Sequence, residues 1–108
     1  MARILVVDDD IAGLELRKMI LQRAGHVVTA AADVDMARSL FHETHPETVL
    51  LDLRLPEAAD GLALIREFRE AVPSVRIVVL SGFTPDLDGH PERAMTDQIL
   101  NKPLRTEI

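Results

Sequence analysis

The sequence predicts an α/β fold, a parallel sheet with helices on both faces, on three observations. Short apolar runs alternate with segments of helical spacing along most of the chain, the order that builds parallel sheets through crossover helices. The runs are apolar almost throughout, as strands covered on both faces must be. Their polar exceptions, Asp8, Asp52 and Ser81, fall at the far ends of three of them, the edge where open α/β sheets hold ligands.

Composition sets the bounds. At 108 residues, 47% hydrophobic and 28% charged, residues 1–108 fit one domain with a core of ordinary size. A net charge of -6 and a pI near 5.1 argue against nucleic-acid binding by this chain, which needs clustered cations to replace counterions. The absence of cysteine excludes disulfides and thiolate metal sites and suits a cytoplasmic setting. No apolar stretch is long enough to span a bilayer, and the N-terminus runs straight into a strand instead of a signal-peptide pattern.

The first strand is Arg3-Ile-Leu-Val-Val7, followed by Asp8-Asp9-Asp10. Three adjacent acids at the end of a buried strand are costly unless a cation neutralises them, which is the reason to expect a metal. From Ile11 to Ala24 a helix places Ala12, Leu16, Met19 and Ile20 on one face, with Arg17, Lys18 and Arg23 elsewhere, and Gly25 stops it. Asp10 stands where it would cap that helix. A second strand, His26-Val-Val-Thr-Ala30, leads to a helix capped by Asp33, with Ala37, Leu40 and Phe41 inward and His45-Pro46 at its end. His26 and His45 have no partner at ligand spacing and read as solvated turn residues.

Thr48-Val-Leu-Leu-Asp-Leu-Arg-Leu-Pro56 contains the third strand, with Asp52 at its exit. Alone, such an acid is a turn or cap residue. After a loop to Gly61, a helix capped by Asp60 buries Leu64, Ile65, Phe68 and Val72, and Pro73 closes it. Val75-Arg-Ile-Val-Val-Leu-Ser81 is the fourth strand. Pro85, Gly89 and Pro91 then break the chain, leaving at most a short helical turn over Glu92 to Thr96. Gln98-Ile-Leu-Asn101 is the last strand, and Lys102-Pro103 follows it. In a parallel sheet Asp8, Asp9, Asp52, Ser81 and Lys102 converge on one edge. Three carboxylates and an ammonium there suit Mg²⁺, which takes a few carboxylate or carbonyl oxygens and keeps its other positions for water and phosphate.

Val-Val-Asp8-Asp9-Asp10, Leu-Leu-Asp52-Leu-Arg-Leu-Pro56, Val-Leu-Ser81-Gly and Asn-Lys102-Pro103 together resemble the receiver domain of bacterial two-component response regulators, in order and over nearly the whole chain. The resemblance implies a flavodoxin-like, doubly wound sheet of five parallel strands in the order 2-1-3-4-5. It implies a phosphorelay switch in which Asp52 takes a phosphoryl group from a phosphohistidine of a sensor histidine kinase or histidine phosphotransfer protein. It makes Asp8, Asp9, Asp52 and the backbone carbonyl of Arg54 the Mg²⁺ set, with Asp8 acting through a bound water. Lys102 would pair first with Asp52 and then with the phosphoryl group, and the Ser81 hydroxyl would turn toward the phosphoryl oxygens. The chain would catalyse its own phosphorylation and dephosphorylation and no metabolic reaction.

Four features depart from the family pattern. The loop from Pro56 to Gly61 is one residue longer, and Ile99 stands where an aromatic residue is usual. The fourth helix is degraded by Gly89-His-Pro91, and Leu104 to Ile108 is too short for the fifth. A missing fifth helix would leave apolar side chains of the last two strands uncovered, a face for a partner or for a homodimer. Arg54 and Phe83 occupy positions that influence phosphoryl lifetime in the family. Two other readings compete: a pseudo-receiver that binds proteins without phosphorylation, and a haloacid-dehalogenase-type phosphohydrolase built on Asp8-x-Asp10 and Ser81. The second lacks a later acidic motif and leaves Asp52 without a role.

Overall fold

The computed structural model describes residues 1–82 and 84–101. Apolar β-branched runs form the strands β1 Arg3–Val7, β2 Val27–Ala31, β3 Thr48–Asp52, β4 Arg76–Ser81 and β5 Gln98–Asn101, as side chains that fit a pleated, buried surface should. The helices are α1 Ile11–Arg23, α2 Val34–Thr44 and α3 Ala58–Ala71. The strands make one parallel sheet in the order β2-β1-β3-β4-β5, the predicted order. Chain order reverses between β1 and β3, so a crevice opens beyond their carboxyl ends. Val7 is level with Leu51, and Asp52 with Leu80. The acids after β1 and at the end of β3 therefore flank that crevice.

Among the described residues, the two sheet faces carry core clusters of different size. One carries the larger core, where Leu5, Val49, Leu51, Ile77 and Val79 meet Phe41 of α2 and Leu64, Ile65 and Phe68 of α3. Phe41 and Phe68 stack with ring centroids 4.0 Å apart. The other face holds a smaller cluster of Ile4, Val6, Val28 and Leu14, with Leu21 and Leu50 at its margin.

Helix α1 turns a different side inward from the one its apolar residues predict. Leu16, Met19 and Ile20 are 52%, 44% and 55% exposed, and Leu14 is the residue of α1 that is buried. The inward stripe is Leu14, Arg17 and Leu21, spaced by three and four. A sequence pattern assigns an arginine to solvent, whereas here the acids at the sheet edge draw it in.

Caps and ends show smaller differences. Asp10 occupies the N-cap of α1, and its carbonyl accepts from Leu14 N at 2.9 Å, but its side chain makes no cap bond. Asp33 caps α2 as expected, its Oδ1 accepting from Met36 N at 2.7 Å. His45 ends that helix in the left-handed region with φ 48°. His26 accepts from Ala2 N at its Nδ1, 3.1 Å away, so it is a partly buried link and not a solvated turn residue. Helix α3 starts earlier than predicted, with Glu57 at the N-cap and Asp60 in the first turn, whose Oδ2 accepts from Glu57 N at 3.1 Å. Val72 lies beyond the helix and is exposed.

Between β4 and β5 two short 3₁₀ turns, Thr84–Leu87 and Pro91–Met95, replace a helix. They are fixed by charge: Glu92 is buried against Arg66 at 3.1 Å, and Arg69 donates to the carbonyls of Met95, Pro73 and Val75 and to Asp97. On β4, Val78 and Leu80 are buried, while Ile99 and Leu100 of β5 are half-buried. Leu104 to Ile108, too short by the sequence reading for a fifth helix, lies outside the described residues.

Candidate functional site

The carboxyl edge of the sheet brings together most of the residues singled out from the sequence. Strand β1 delivers Asp8, which is buried, and Asp9, which is exposed; β3 delivers Asp52, buried; β4 delivers Ser81, buried. A ligand oxygen from each of Asp8, Asp9 and Asp52 lies within 4.8 Å of the other two. Oxygens on one octahedral Mg²⁺ at about 2.1 Å stand roughly 3–4 Å apart. The set is thus a small side-chain adjustment from coordination, and its hard anionic oxygens are the donors that ion selects. Arg54 lies in the loop after β3, two residues beyond Asp52. Lys102 and Phe83 lie outside the described residues.

The backbone fixes these acids from both sides. Asp8 N donates to Ala31 O at 3.1 Å, and Leu53 N donates to Leu80 O at 3.1 Å, so one ladder reaches Asp8 and the other runs one residue past Asp52. Asp8 Oδ1 accepts from Asp10 N at 2.9 Å, which orients its carboxylate. Asp8 Oδ2 is ion-paired with the guanidinium of Arg17 from α1.

Arg17 is the site residue that sequence reasoning missed. Its partial burial pulls the guanidinium below its ordinary pKa, and the charge of Asp52 works in the opposite direction. A buried group surrounded by acids remains a cation under those two effects. The available signal was Gly13, four residues earlier in a helix next to three acids.

The Arg54 side chain forms a forked pair with Asp86 of the first 3₁₀ turn, Nε to Oδ2 at 2.8 Å and Nη2 to Oδ1 at 3.1 Å. This pairing raises Arg54 and lowers Asp86 relative to their usual values, the hydrogen bond being the main cause for each. It ties the loop bearing the Arg54 carbonyl to the segment after Ser81. At the opposite edge of the sheet, an open hollow is lined by Arg3, Phe41, Thr48 and Arg76. Its cations are spent on Glu47, on the His45 carbonyl and on Gln98, and it brings no acids together.

A family model described as the response regulator receiver domain matches residues 4–107. The virulence transcriptional regulatory protein PhoP of Salmonella typhimurium strain 14028s is 40% identical over 81 residues, 75% of this chain and 36% of that protein. A probable transcriptional regulator, ycf27, of Porphyridium aerugineum is 34% identical over 89 residues, 81% of this chain and 37% of that one. The chain thus spans little more than a third of these curated relatives. Among solved structures, response regulator TrrA of Thermotoga maritima, in complex with Mg²⁺ and BeF, superposes with a TM-score of 0.85 at 28% identity, covering 97% of this chain and 90% of that one. A response regulator receiver domain protein from Clostridium thermocellum gives 0.86 at 25% identity, with 97% and 85% covered. No helix among the described residues is long and apolar enough to cross a membrane.

Proposed function

The chain belongs to the response regulator receiver domain family, and from that premise we propose that it is a phosphorylation switch in which Asp52 is the phosphoryl acceptor. The donor is a phosphohistidine of a sensor histidine kinase or histidine phosphotransfer protein, and the setting is the cytoplasm. The observation that carries this reading is the meeting of Asp8, Asp9 and Asp52 within 4.8 Å at the carboxyl edge of the sheet, with Ser81 on the next strand.

An Asp52 carboxylate oxygen attacks phosphorus in line. The P–N bond to the donor imidazole breaks, its electron pair leaves on the ring nitrogen, and an acyl phosphate forms. Asp9, Asp52 and the Arg54 carbonyl would hold Mg²⁺, with Asp8 acting through water. The ion would supply positive charge to offset the negative charge that builds up in the transfer. The relative from Thermotoga maritima, solved with Mg²⁺ and BeF, supports Mg²⁺ as the ion. Lys102 pairs with Asp52 and then with the phosphoryl group. The Ser81 hydroxyl donates to a phosphoryl oxygen and draws the following loop inward. Water attack on the same phosphorus reverses the state, so the chain also catalyses its own dephosphorylation.

Output passes by protein contact, in keeping with a net charge of -6 that repels nucleic acid. For a homodimer through the last strands, the apolar surface on these strands is confined to half-buried Ile99 and Leu100. The test is intact mass after incubation with Mg²⁺ and acetyl phosphate. The native chain gains a phosphoryl adduct that is lost with a chelator and absent in Asp52→Asn. No adduct in a folded native chain, with acetyl phosphate or a phosphorylated kinase, would overturn the switch and leave a phosphorylation-independent binding module.

A further inference from the structure

Arg17 differs from Arg38 and Arg69, two other partly buried arginines of the chain. Arg38 makes a fork with Glu67, and Arg69 is locked by three backbone carbonyls and Asp97. Arg17 instead reaches from α1 into the acidic cluster, with its side chain 19% exposed against an Asp8 side chain that is 1% exposed. Its Nε is buried and makes no hydrogen bond among the described residues. The hold is end-on, through one carboxylate, and so can be released without unlocking a fork.

Gly13 keeps the route open. A Cβ at this position would come within 3.2 Å of Arg17 Nη2, 3.6 Å of its Cζ and 3.0 Å of Asp10 Oδ2. Glycine inside a helix is unfavourable relative to alanine. What it allows here is passage of the guanidinium along the helix surface to Asp8. Both Asp8 oxygens are then engaged, Oδ1 by the Asp10 amide and Oδ2 by Arg17.

We propose that Arg17 is a tethered counter-cation of the Asp8, Asp9 and Asp52 cluster, which must leave Asp8 for a divalent ion to gain the full set and thereby tunes metal affinity. This rests on the reading of the cluster as a Mg²⁺ site. Counting Asp8, Asp9, Asp52 and Arg17 alone, the formal charge is -2, against -3 for the acids without Arg17, and Lys102, the proposed partner of Asp52, adds the same charge to both. The cation relieves repulsion in the metal-free state and subtracts from what Mg²⁺ gains on entering. Arg17 is accordingly a positioning residue that sets occupancy and takes no part in the transfer.

The test is calorimetric titration of Mg²⁺ into the 108-residue chain and into Arg17→Gln and Gly13→Ala, with thermal melts in the presence and absence of the ion. Arg17→Gln, which removes a positive charge competing with the ion, should bind Mg²⁺ about tenfold more tightly, melt below the native chain without the ion, and show the larger rise when it is added. Gly13→Ala retains the cation and crowds its route, so its affinity should move the same way by a smaller factor. It decides the matter alone if Arg17→Gln does not fold. Equal or weaker binding by the folded variants, against measurable binding by the native chain, overturns the proposal and leaves an ordinary ion pair. Absence of Mg²⁺ binding in all three proteins overturns the Mg²⁺ reading itself, a different result from the first.

Discussion

At the scale of single residues, the acids legible in the sequence are those whose position alone makes them costly. Asp8, Asp9 and Asp52 sit at the ends of apolar strands, where an unpaired carboxylate is unfavourable, and the structure brings all three together. Arg17 and Asp97 were not legible, because their partners come from elements that no local pattern links to them. Asp97 accepts from Ile77 N at 2.7 Å and from Arg69 Nη2 at 2.8 Å. The Ile77 amide first, and Arg69 after it, hold its carboxyl below the usual value against the opposing effect of burial. The hydrogen bond from Arg38 lowers Glu67 in the same way. A carboxylate whose folded pKa is depressed contributes stability that is full above its unfolded pKa and is lost as pH falls through the folded value. Asp97→Asn should therefore melt below the native chain at neutral pH. The two melting curves should converge as pH drops below about 4. Parallel pH profiles for the two proteins would remove Asp97 from the acid limb.

At the scale of elements, the five strands and three helices were legible to within a few residues, since turn residues and periodicity mark them. Which side of α1 faces the sheet was not, because its apolar residues outnumber those the sheet can cover. Leu14 and Leu21 with Arg17 between them took the inward face. The junction of β3 and α3 was legible only as a loop, yet of the glycines at positions 13, 25, 61 and 89 it holds the one most closely approached, Gly61. A Cβ on Gly61 would stand 2.0 Å from the carbonyl oxygen of Leu53, one residue beyond Asp52. Elsewhere in a helix Gly→Ala gains up to about 1 kcal/mol from propensity. Here the added methyl must push α3 from the end of β3, an overpacking cost of about 1–3 kcal/mol or more. Gly61→Ala should thus lower stability in urea denaturation and lower phosphoryl acceptance by Asp52 with it. A stabilised Gly61→Ala would show that helix and strand can part there at no cost.

At the scale of the whole molecule, alternation of strand and helix predicted a parallel sheet, and the family resemblance supplied the strand order. Neither indicated how differently the two core clusters of the described residues are built, because burial depends on which side each helix presents. On one face α2 and α3 are anchored by Phe41, Leu64, Ile65 and Phe68. On the other, α1 is anchored by Leu14, with Leu21 at the margin and Arg17 held through Asp8. Free energies of local opening follow the apolar area a segment must expose. Hydrogen exchange in the native state should accordingly show α1 amides opening at a lower free energy than those of α3, by a sub-global route that leaves the large core intact. Phe68→Ala, which removes half of the stacked pair, should cost about 3–5 kcal/mol and lower the protection of α3 without an equal fall in α1. If α1 and α3 exchange with one common free energy in the native chain and in Phe68→Ala, the two faces form a single cooperative unit. The acids after β1 would then be as rigidly held from the α1 side as Asp52 is from the α3 side. With the faces independent, α1 can move Arg17 away from Asp8 while β3 keeps Asp52 fixed, which is the motion that admission of a metal to this site requires.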